Sequence, residues 1–224
     1  MGSRRLPGKV LLPLANKNLL EVLVERCFRS KLVSDVIIAT TNNQKDDAIL
    51  DFCIKKKINY FRGSESNVLK RLIDLHIKYK TDIVVELTAD NPFVDPKLID
   101  EAISFFLKNK YHYVSNSGPS RKYPDGMNVQ VFALEVLKKI YPDAKVKQDF
   151  EHPSSLIYKS NKFNVKYIDP DNPELIWPGL SLTVDTIKDY EFVKIIYEHF
   201  GHNNFTIEDI IEYLKYNNKN TINN

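Results

Sequence analysis

The chain has 224 residues, of which 43% are hydrophobic and 27% charged, values typical of one globular domain and not of a disordered chain. Its 32 Lys and Arg against 29 Asp and Glu leave a net charge of +3, which excludes a polycation that coats nucleic acid. No apolar run reaches the ~18–20 residues that span a bilayer. We therefore expect a cytoplasmic protein with neither a nucleic-acid nor a membrane partner.

Helices and strands alternate in the first part of the chain. Apolar residues at helical spacing predict three helices, and short apolar runs predict three strands. In chain order these segments are residues 18–30 (helix), 35–41 (strand), 45–56 (helix), 58–61 (strand), 66–79 (helix) and 83–87 (strand). Such alternation predicts a parallel sheet, which binds ligands beyond the carboxyl ends of its strands.

The pattern is less regular in the second part. A helix is predicted from Pro96, after the capping residue Asp95, and capping boxes at Thr186 and Thr206 predict the starts of the last two helices. The other predicted elements are strands at 111–115, 128–132, 163–168 and 180–184 and a helix at 134–140. We expect one domain over residues 1–224, with a last helix ending near Tyr216 and a frayed tail over 217–224.

Residues 2–9 combine two glycines with three cationic side chains. The segment reads Gly-Ser-Arg-Arg-Leu-Pro-Gly-Lys. Glycines let backbone N–H groups approach phosphate oxygens, and Arg and Lys neutralise their charge. The spacing matches neither a Walker loop nor a dinucleotide-binding loop. A phosphate-binding loop and a solvated basic segment are both compatible with these residues alone.

Two pairs of aspartates are candidate metal ligands. Asp90 and Asp185 each follow a predicted strand. Their carboxylates suit Mg²⁺, which prefers oxygen ligands. Capping of a turn or helix is the alternative interpretation of either residue. Asp169 and Asp171 form a DxD motif of the kind used by nucleotide-sugar glycosyltransferases. The neighbouring Pro and Asn residues favour a turn there.

A series of motifs follows the loop along the chain. The motifs are Ile38-Ala39-Thr40-Thr41 with Asp46-Asp47, Phe61-Arg62-Gly63-Ser64 with Asn67 to Arg71, Leu87 to Pro96, Tyr123-Pro124-Asp125-Gly126, Glu151-His152 and Leu182 to Thr186. From residue 2 to about 195, the loop and these motifs in this order resemble the sugar-activating cytidylyltransferases, a family that includes acylneuraminate and Kdo cytidylyltransferases. The branch of spore coat polysaccharide biosynthesis protein F is the most similar.

The resemblance implies a Rossmann-like, three-layer α/β nucleotidyltransferase fold with a mostly parallel sheet. In the family a strand precedes the glycine-containing loop, whereas here the loop opens the chain. We therefore expect a sheet that lacks its usual first strand. Either the true start lies upstream, or the chain is an impaired copy of the enzyme.

The resemblance also implies an activity: transfer of CMP from CTP to a sugar acid or sugar-like acceptor, with release of pyrophosphate, for surface polysaccharide biosynthesis. It implies a Mg²⁺ cofactor and a homodimer, and it leaves the identity of the acceptor open. Two other functions remain compatible with the residues. The chain could be a glycosyltransferase that uses Asp169 and Asp171, or a non-catalytic relative that only binds nucleotide.

The resemblance assigns roles to individual residues. It places CTP on Gly2, Ser3, Arg5, Lys9, Thr40, Asp46 and Arg71, Mg²⁺ on Asp90 and Asp185, and the acceptor near Tyr123, Asp125, Glu151 and His152. Arg5, Lys9 and Asp90 are the expected catalytic residues.

Overall fold

The computed structural model describes residues 1–222. The strands are β1 (Pro13–Leu14), β2 (Lys17–Asn18), β3 (Ile37–Thr41), β4 (Asn59–Gly63), β5 (Ile83–Glu86), β6 (Tyr113–Ser115), β7 (Gln130–Ala133) and β8 (Val165–Tyr167). The α-helices are α1 (Leu19–Phe28), α2 (Asp47–Lys56), α3 (Val68–Lys78), α4 (Pro96–Lys108), α5 (Leu134–Ile140), α6 (Lys147–Glu151), α7 (Pro153–Lys159), α8 (Ile187–Phe200) and α9 (Ile207–Ile222). Within this range no helix is both long and apolar enough to cross a lipid bilayer.

The strands run mostly in one direction. β3 and β4 form a parallel pair, and the other sheet has the order β5-β7-β6-β8. β7 is antiparallel to both β5 and β6, and β8 is parallel to β6, so β7 is the one reversed strand of the four. This arrangement confirms the predicted Rossmann-like α/β fold.

The glycine-containing loop is not preceded by a strand within residues 1–222. The first strand, β1, follows the loop and pairs only with β2 in a short hairpin. β3 and β5 consequently belong to separate sheets. The expectation that a first strand is missing agrees with this topology.

Apolar residues cover both faces of the four-stranded sheet. On one face, Phe132 of β7 packs with buried side chains of α3, α5 and α7. On the other face, Val131 packs with buried side chains of α1, α4, α8 and α9. Neighbouring residues of a strand point to opposite faces, so one strand supplies both cores and three layers result.

Arg26 of α1 is fully buried and joins α1 to Val94 and to the segment before α9. Its guanidinium donates to the carbonyl oxygens of Val94 (3.0 Å), Asn203 (3.1 Å) and Phe205 (2.9 Å). The guanidinium carbon also lies 4.7 Å from the centre of the Phe205 ring. Burial lowers the pKa of Arg26 to about 10, so it stays charged at neutral pH. The N–H donors therefore replace their lost water contacts with carbonyl partners.

The sequence-based prediction is wrong at two elements. Residues 180–184 form no strand, because their backbone bonds go to loops: Leu182 N donates to Asp125 O and Val184 N donates to Asp90 O, at 2.8 and 2.9 Å. Only one isolated bridge, between Asp125 and Ser181, results. α9 continues to Ile222 instead of ending near Tyr216, because the following Asn- and Lys-rich residues include no Gly or Pro to stop it. Residues 223–224 of the predicted frayed tail lie outside the described range.

Candidate functional site

The glycine-containing loop folds back to bring Lys9 toward the carboxyl ends of the strands. Gly8 has φ +73°, a left-handed conformation that favours glycine, and it precedes a single 3₁₀ turn that begins at Lys9. Within the loop, the Ser3 hydroxyl accepts a hydrogen bond from Leu6 N at 3.3 Å. The loop is therefore an ordered turn, which favours the phosphate-binding interpretation over a solvated basic segment.

Lys9 lies between the two aspartates predicted to hold the metal. Its ammonium donates to Asp90 Oδ2 at 2.8 Å and to Asp185 Oδ1 at 3.0 Å, and its side chain is only 12% exposed. Arg5 Nη2 lies 2.8 Å from the second oxygen of Asp185. Two carboxylates from distant parts of the chain thus converge on one cation.

The backbone around the aspartates fixes this convergence. Val184 N donates to Asp90 O at 2.9 Å, and Thr183 Oγ1 donates to Asn91 Oδ1 at 2.8 Å, so the two loops are joined next to their carboxylates. The predicted capping box is present after Asp185, where Thr186 and Asp189 cap α8 reciprocally. The prediction that the two carboxylates lie together is consistent with this geometry.

The charges of this cluster stabilise one another. Burial alone would lower the pKa of Lys9, but its hydrogen bonds to Asp90 and Asp185 outweigh that effect and raise it. Burial likewise acts to raise the pKa of Asp185, yet the hydrogen bond and charge of Lys9, together with Arg5, lower it overall. Lys9 and Asp185 are therefore both charged at neutral pH.

The Asp90 and Asp185 pair fits the Mg²⁺ that the family resemblance implies. Mg²⁺ takes one or two protein carboxylates and completes its shell with water and substrate phosphates. Two convergent carboxylates that already share the Lys9 ammonium supply that donor set. Within residues 1–222, no group of three or more His, Cys, Asp or Glu side chains forms a ready cation site. Asp90 and Asp185 together thus supply two carboxylate ligands of the kind that Mg²⁺ prefers.

The other residues predicted to bind CTP lie around the ends of β3 and β4. Asp46 is buried, and its Oδ2 accepts from the hydroxyls of Thr40 and Thr41 at 2.8 and 2.7 Å. Burial acts to raise the pKa of Asp46, but hydrogen bonds from the Met1 amino group and these threonines hold it far below its usual range. Arg71 of α3 donates to Ser64 O at 2.7 Å, while its buried Nε has no partner in the described structure.

A cavity of about 390 Å³ adjoins the loop that carries Asp90. Thr88 lines it, and Asn91 Nδ2 donates to the Thr88 hydroxyl at 3.0 Å, so one turn connects the cavity to the Lys9 cluster. The remaining lining residues come from the sheet, the following loops and α7. They are Glu86, Tyr113, Ser117, Gly118, Pro119, Asn128, Gln130, His152, Ser154, Tyr158 and Tyr167.

The four predicted acceptor residues have different positions relative to this cavity. His152 lines it, and Asp125 contacts the lining residue Asn128 at 2.9 Å. Tyr123 is buried in the core, whereas Glu151 is exposed and lies 3.4 Å from Lys147. The assignment of all four to the acceptor stays a prediction.

Several polar lining residues have no distinguishing signal in the sequence alone. Glu86, Asn128 and Gln130 belong to predicted strands, where they pass as ordinary polar positions. The one available signal was Glu86, a charged residue in the otherwise apolar run Ile83 to Leu87.

The competing DxD motif lies in an exposed loop. Asp169 forms an ion pair with Lys122 at 2.6 Å, and Asp171 is exposed close to a 3₁₀ turn that starts at Pro173. The turn interpretation therefore fits better than a shared metal site.

Known proteins are similar to this chain in both sequence and fold. The cytidylyltransferase family model matches residues 1–218. The uncharacterized protein MJ1063 of Methanocaldococcus jannaschii is 39% identical over 96% of this chain and 87% of its own length. Spore coat polysaccharide biosynthesis protein SpsF of Bacillus subtilis is 34% identical over 90% of this chain and 84% of its own length. A cytidylyltransferase structure from Leptospira borgpetersenii superimposes with a TM-score of 0.91 at 31% identity, covering 98% of this chain and 92% of that one. The chain belongs to the cytidylyltransferase family.

Proposed function

We propose that this protein transfers CMP from CTP to the hydroxyl of a sugar acid or sugar-like acceptor and releases pyrophosphate. The observation that carries the proposal is the cluster of Lys9, Asp90 and Asp185, which joins the glycine-containing loop to two carboxylates from distant parts of the chain. Its position next to a cavity large enough for a monosaccharide supplies a place for the acceptor.

The residues of the site bind different parts of the reactants. The acceptor oxygen attacks the α-phosphorus in line with the departing pyrophosphate. Arg5, Lys9 and the amides of the loop hold the pyrophosphate and neutralise its growing charge, which is the main contribution expected of protein groups in phosphoryl transfer. Thr40, Asp46 and Arg71 bind the nucleoside and phosphates of CTP. Because binding of the pyrophosphate group draws Lys9 toward it, the contacts of Lys9 with Asp90 and Asp185 loosen when CTP binds.

Asp90 and Asp185 are then free to hold Mg²⁺. When bound there, the metal would polarise the α-phosphate and help to deprotonate the acceptor hydroxyl. Asp90 is tied by its main chain to Val184, so the two carboxylates keep their spacing while Lys9 moves. Metal binding therefore needs no rearrangement of the loops that carry Asp90 and Asp185.

The physiological setting follows from the relatives. SpsF is named for spore coat polysaccharide biosynthesis, and we assign this enzyme to the activation of a sugar for a surface polysaccharide. Both cysteines, Cys27 and Cys53, are buried and unpaired, which suits the reducing cytoplasm. We propose a homodimer on the family resemblance, to be measured by light scattering during size-exclusion chromatography.

A pyrophosphate-coupled assay with CTP, Mg²⁺ and a panel of sugars tests the activity. We expect pyrophosphate release that depends on the sugar, with a matching CMP-sugar detected by mass spectrometry. Asp185→Asn should abolish release, and Asp171→Asn is the matched control because it removes an exposed carboxylate outside the cluster. Consumption of a nucleotide sugar without pyrophosphate would instead support the glycosyltransferase function. CTP binding without turnover of any sugar would support the non-catalytic relative.

A further inference from the structure

The cavity has a polar floor that sits directly beside the apolar core. Strand pairing places Glu86 opposite Gln130, Gln130 opposite Ser115, and Ser115 opposite Tyr167. Directly paired residues project to the same face of a sheet, so these four side chains form one row across all four strands. The preceding row on that face includes Phe132 of the core. Glu86 is thus a carboxyl group placed in a row whose other members are uncharged.

Among the described residues, Glu86 has no partner for its negative charge. Its Oε2 is shielded from solvent and accepts no hydrogen bond within the described structure. Burial alone raises the pKa of Glu86 to about 7, and no neighbouring cation lowers it. A shielded carboxylate without a partner is costly, so a group that donates hydrogen bonds and carries positive charge would bind there favourably.

Asn128 adds a second unpaired acceptor to the same cavity. Its amide nitrogen donates to Asp125 Oδ1 at 2.9 Å, and that oxygen is also 2.8 Å from Arg121 Nη1. The contact with Asp125 fixes the orientation of the Asn128 amide. The amide oxygen is consequently left as a shielded acceptor with no described partner.

The charge of the lining defines the ligand that the cavity can take. The lining residues include no Lys or Arg, so a carboxylate or phosphate placed deep in the cavity would meet Glu86 without a counter-ion. A hydroxyl would satisfy hydrogen bonds but leave the charge of Glu86 uncompensated. A protonated amine supplies both three donors and a positive charge.

We propose that the acceptor is an amino sugar whose protonated amine binds Glu86 and the amide oxygen of Asn128. This inference rests on the proposed function, because it takes the cavity beside Thr88 as the acceptor site. It makes Glu86 the residue that selects between amino- and hydroxyl-bearing acceptors. The anionic end of a sugar acid then points away from the cavity floor, toward the cations of the Lys9 cluster.

The aromatic lining supports a sugar as the carrier of this amine. Tyr158 and Tyr167 lie around Tyr113, with ring centres 6.2 and 6.5 Å from it, and all three line the cavity. Tyrosine rings offer apolar faces for the C–H groups of a sugar ring. The hydroxyl of Tyr113 donates to Gln130 Oε1 at 2.6 Å, which fixes the wall next to Glu86.

Matched sugar pairs test the inference by NMR titration in the presence of a non-cleavable analogue of CTP. Glucosamine is compared with glucose, and 8-amino-8-deoxy-Kdo with Kdo, so each pair differs by one amine for one hydroxyl. In at least one pair the amino member should bind the wild type roughly 10- to 100-fold more tightly, as expected for a charge-assisted hydrogen bond. Glu86→Gln should remove that preference. Glu135→Gln, an exposed carboxylate paired with Lys138, should retain it.

A second measurement needs only the wild-type protein. The ¹³C signal of the Glu86 carboxyl should titrate at lower pH with the amino sugar bound, and its midpoint should not fall with the hydroxyl sugar. Equal binding within every pair, a preference that survives Glu86→Gln, or no binding of any sugar would overturn the inference.

Turnover measured in parallel separates the two proposals. Pyrophosphate release that is equally efficient with amino and hydroxyl sugars would leave the proposed function intact and refute the role of Glu86. Amino sugars that bind through Glu86 without any turnover of CTP would refute the proposed function and leave the cavity assignment standing.

Discussion

Replacing Lys9 with methionine removes the cation that Asp90 and Asp185 share while keeping a side chain of similar length. In the wild type the Lys9 ammonium lies 2.8 Å from one carboxylate and 3.0 Å from the other. Lys9→Met leaves these two carboxylates facing each other without a counter-ion. The same substitution also removes a charge proposed to hold the pyrophosphate.

The geometry sets the size of the effect. Two oxygens that each lie about 3 Å from one nitrogen are no more than about 6 Å apart, which gives a repulsion of about 3 kcal/mol at an effective dielectric constant near 20. Asp185 is 37% exposed, so solvent screening reduces this to about 1–2 kcal/mol. For a chain of this size that loss lowers the thermal midpoint by about 2–8 °C at pH 7.

The pH dependence of this loss has a defined sign. Lys9 lowers the pKa of Asp185, so the stability it contributes is present above the usual carboxyl pKa and disappears as the pH falls through the lowered value. Wild type and Lys9→Met should therefore differ at pH 7 and converge in strongly acidic buffer. Thermal unfolding across this pH range measures the difference.

Metal binding and turnover should move in opposite directions in Lys9→Met. Without nucleotide, Mn²⁺ should bind the freed carboxylates about tenfold more tightly by calorimetry, since the competing ammonium is gone. Turnover in the pyrophosphate assay should fall about 10²–10³-fold, as for loss of one charge-stabilising donor. Unchanged turnover in Lys9→Met would remove the loop from the mechanism. Weaker Mn²⁺ binding would show that Asp90 and Asp185 do not form the metal site.

Three further predictions concern the same region. Asp90→Asn and Asp185→Asn should each lower turnover at least about 10²-fold while the thermal midpoint stays within a few degrees. The turnover of the double variant should be little lower, because the effects of groups that act as a unit are non-additive. Additive losses of turnover would indicate independent roles. Burial raises the pKa of Glu86 from 4.5 to about 7, so the stability of the wild type falls as the pH rises between those values. In urea unfolding, Glu86→Gln should be more stable than the wild type above pH 7 by at most about 3 kcal/mol, and the two proteins should be equally stable near pH 4. Thr186→Ala should cost about 1 kcal/mol in the same assay by removing the cap of α8, and a neutral result would mean that Asp189 alone suffices.

Local signals in the sequence predicted most of the helices and the position of Asp90 after a strand. Asp95 before Pro96 marks the start of α4, and Thr186 with Asp189 marks that of α8, because these caps depend only on residues two or three positions apart. The location of Asp90 after a strand needed only the apolar run before it. These predictions succeed because the forces that decide them are local.

The failures have a common physical cause, which is dependence on distant partners. Residues 180–184 have the pattern of a strand, but their backbone meets loops at Asp125 and Asp90, so a ladder cannot form. The significance of Glu86 depends on its pairing with Gln130 and on the uncharged lining contributed by α7. The contact of Lys9 with Asp90 and Asp185 joins residues 81 and 176 positions apart. No periodicity within a short window carries such information.

The buried guanidinium of Arg26 has a consequence for how the native protein opens. Its bonds to Asn203 and Phe205 span 177 and 179 positions, so α1 and the segment before α9 can separate only by leaving a charged group with unpaired donors in the core. That penalty suppresses independent opening of the C-terminal helix start. The amides of Ile207 and Ile210 should consequently exchange with deuterium at the slow rate of α1, as one cooperative unit. We therefore expect α1 and the segment before α9 to unfold together.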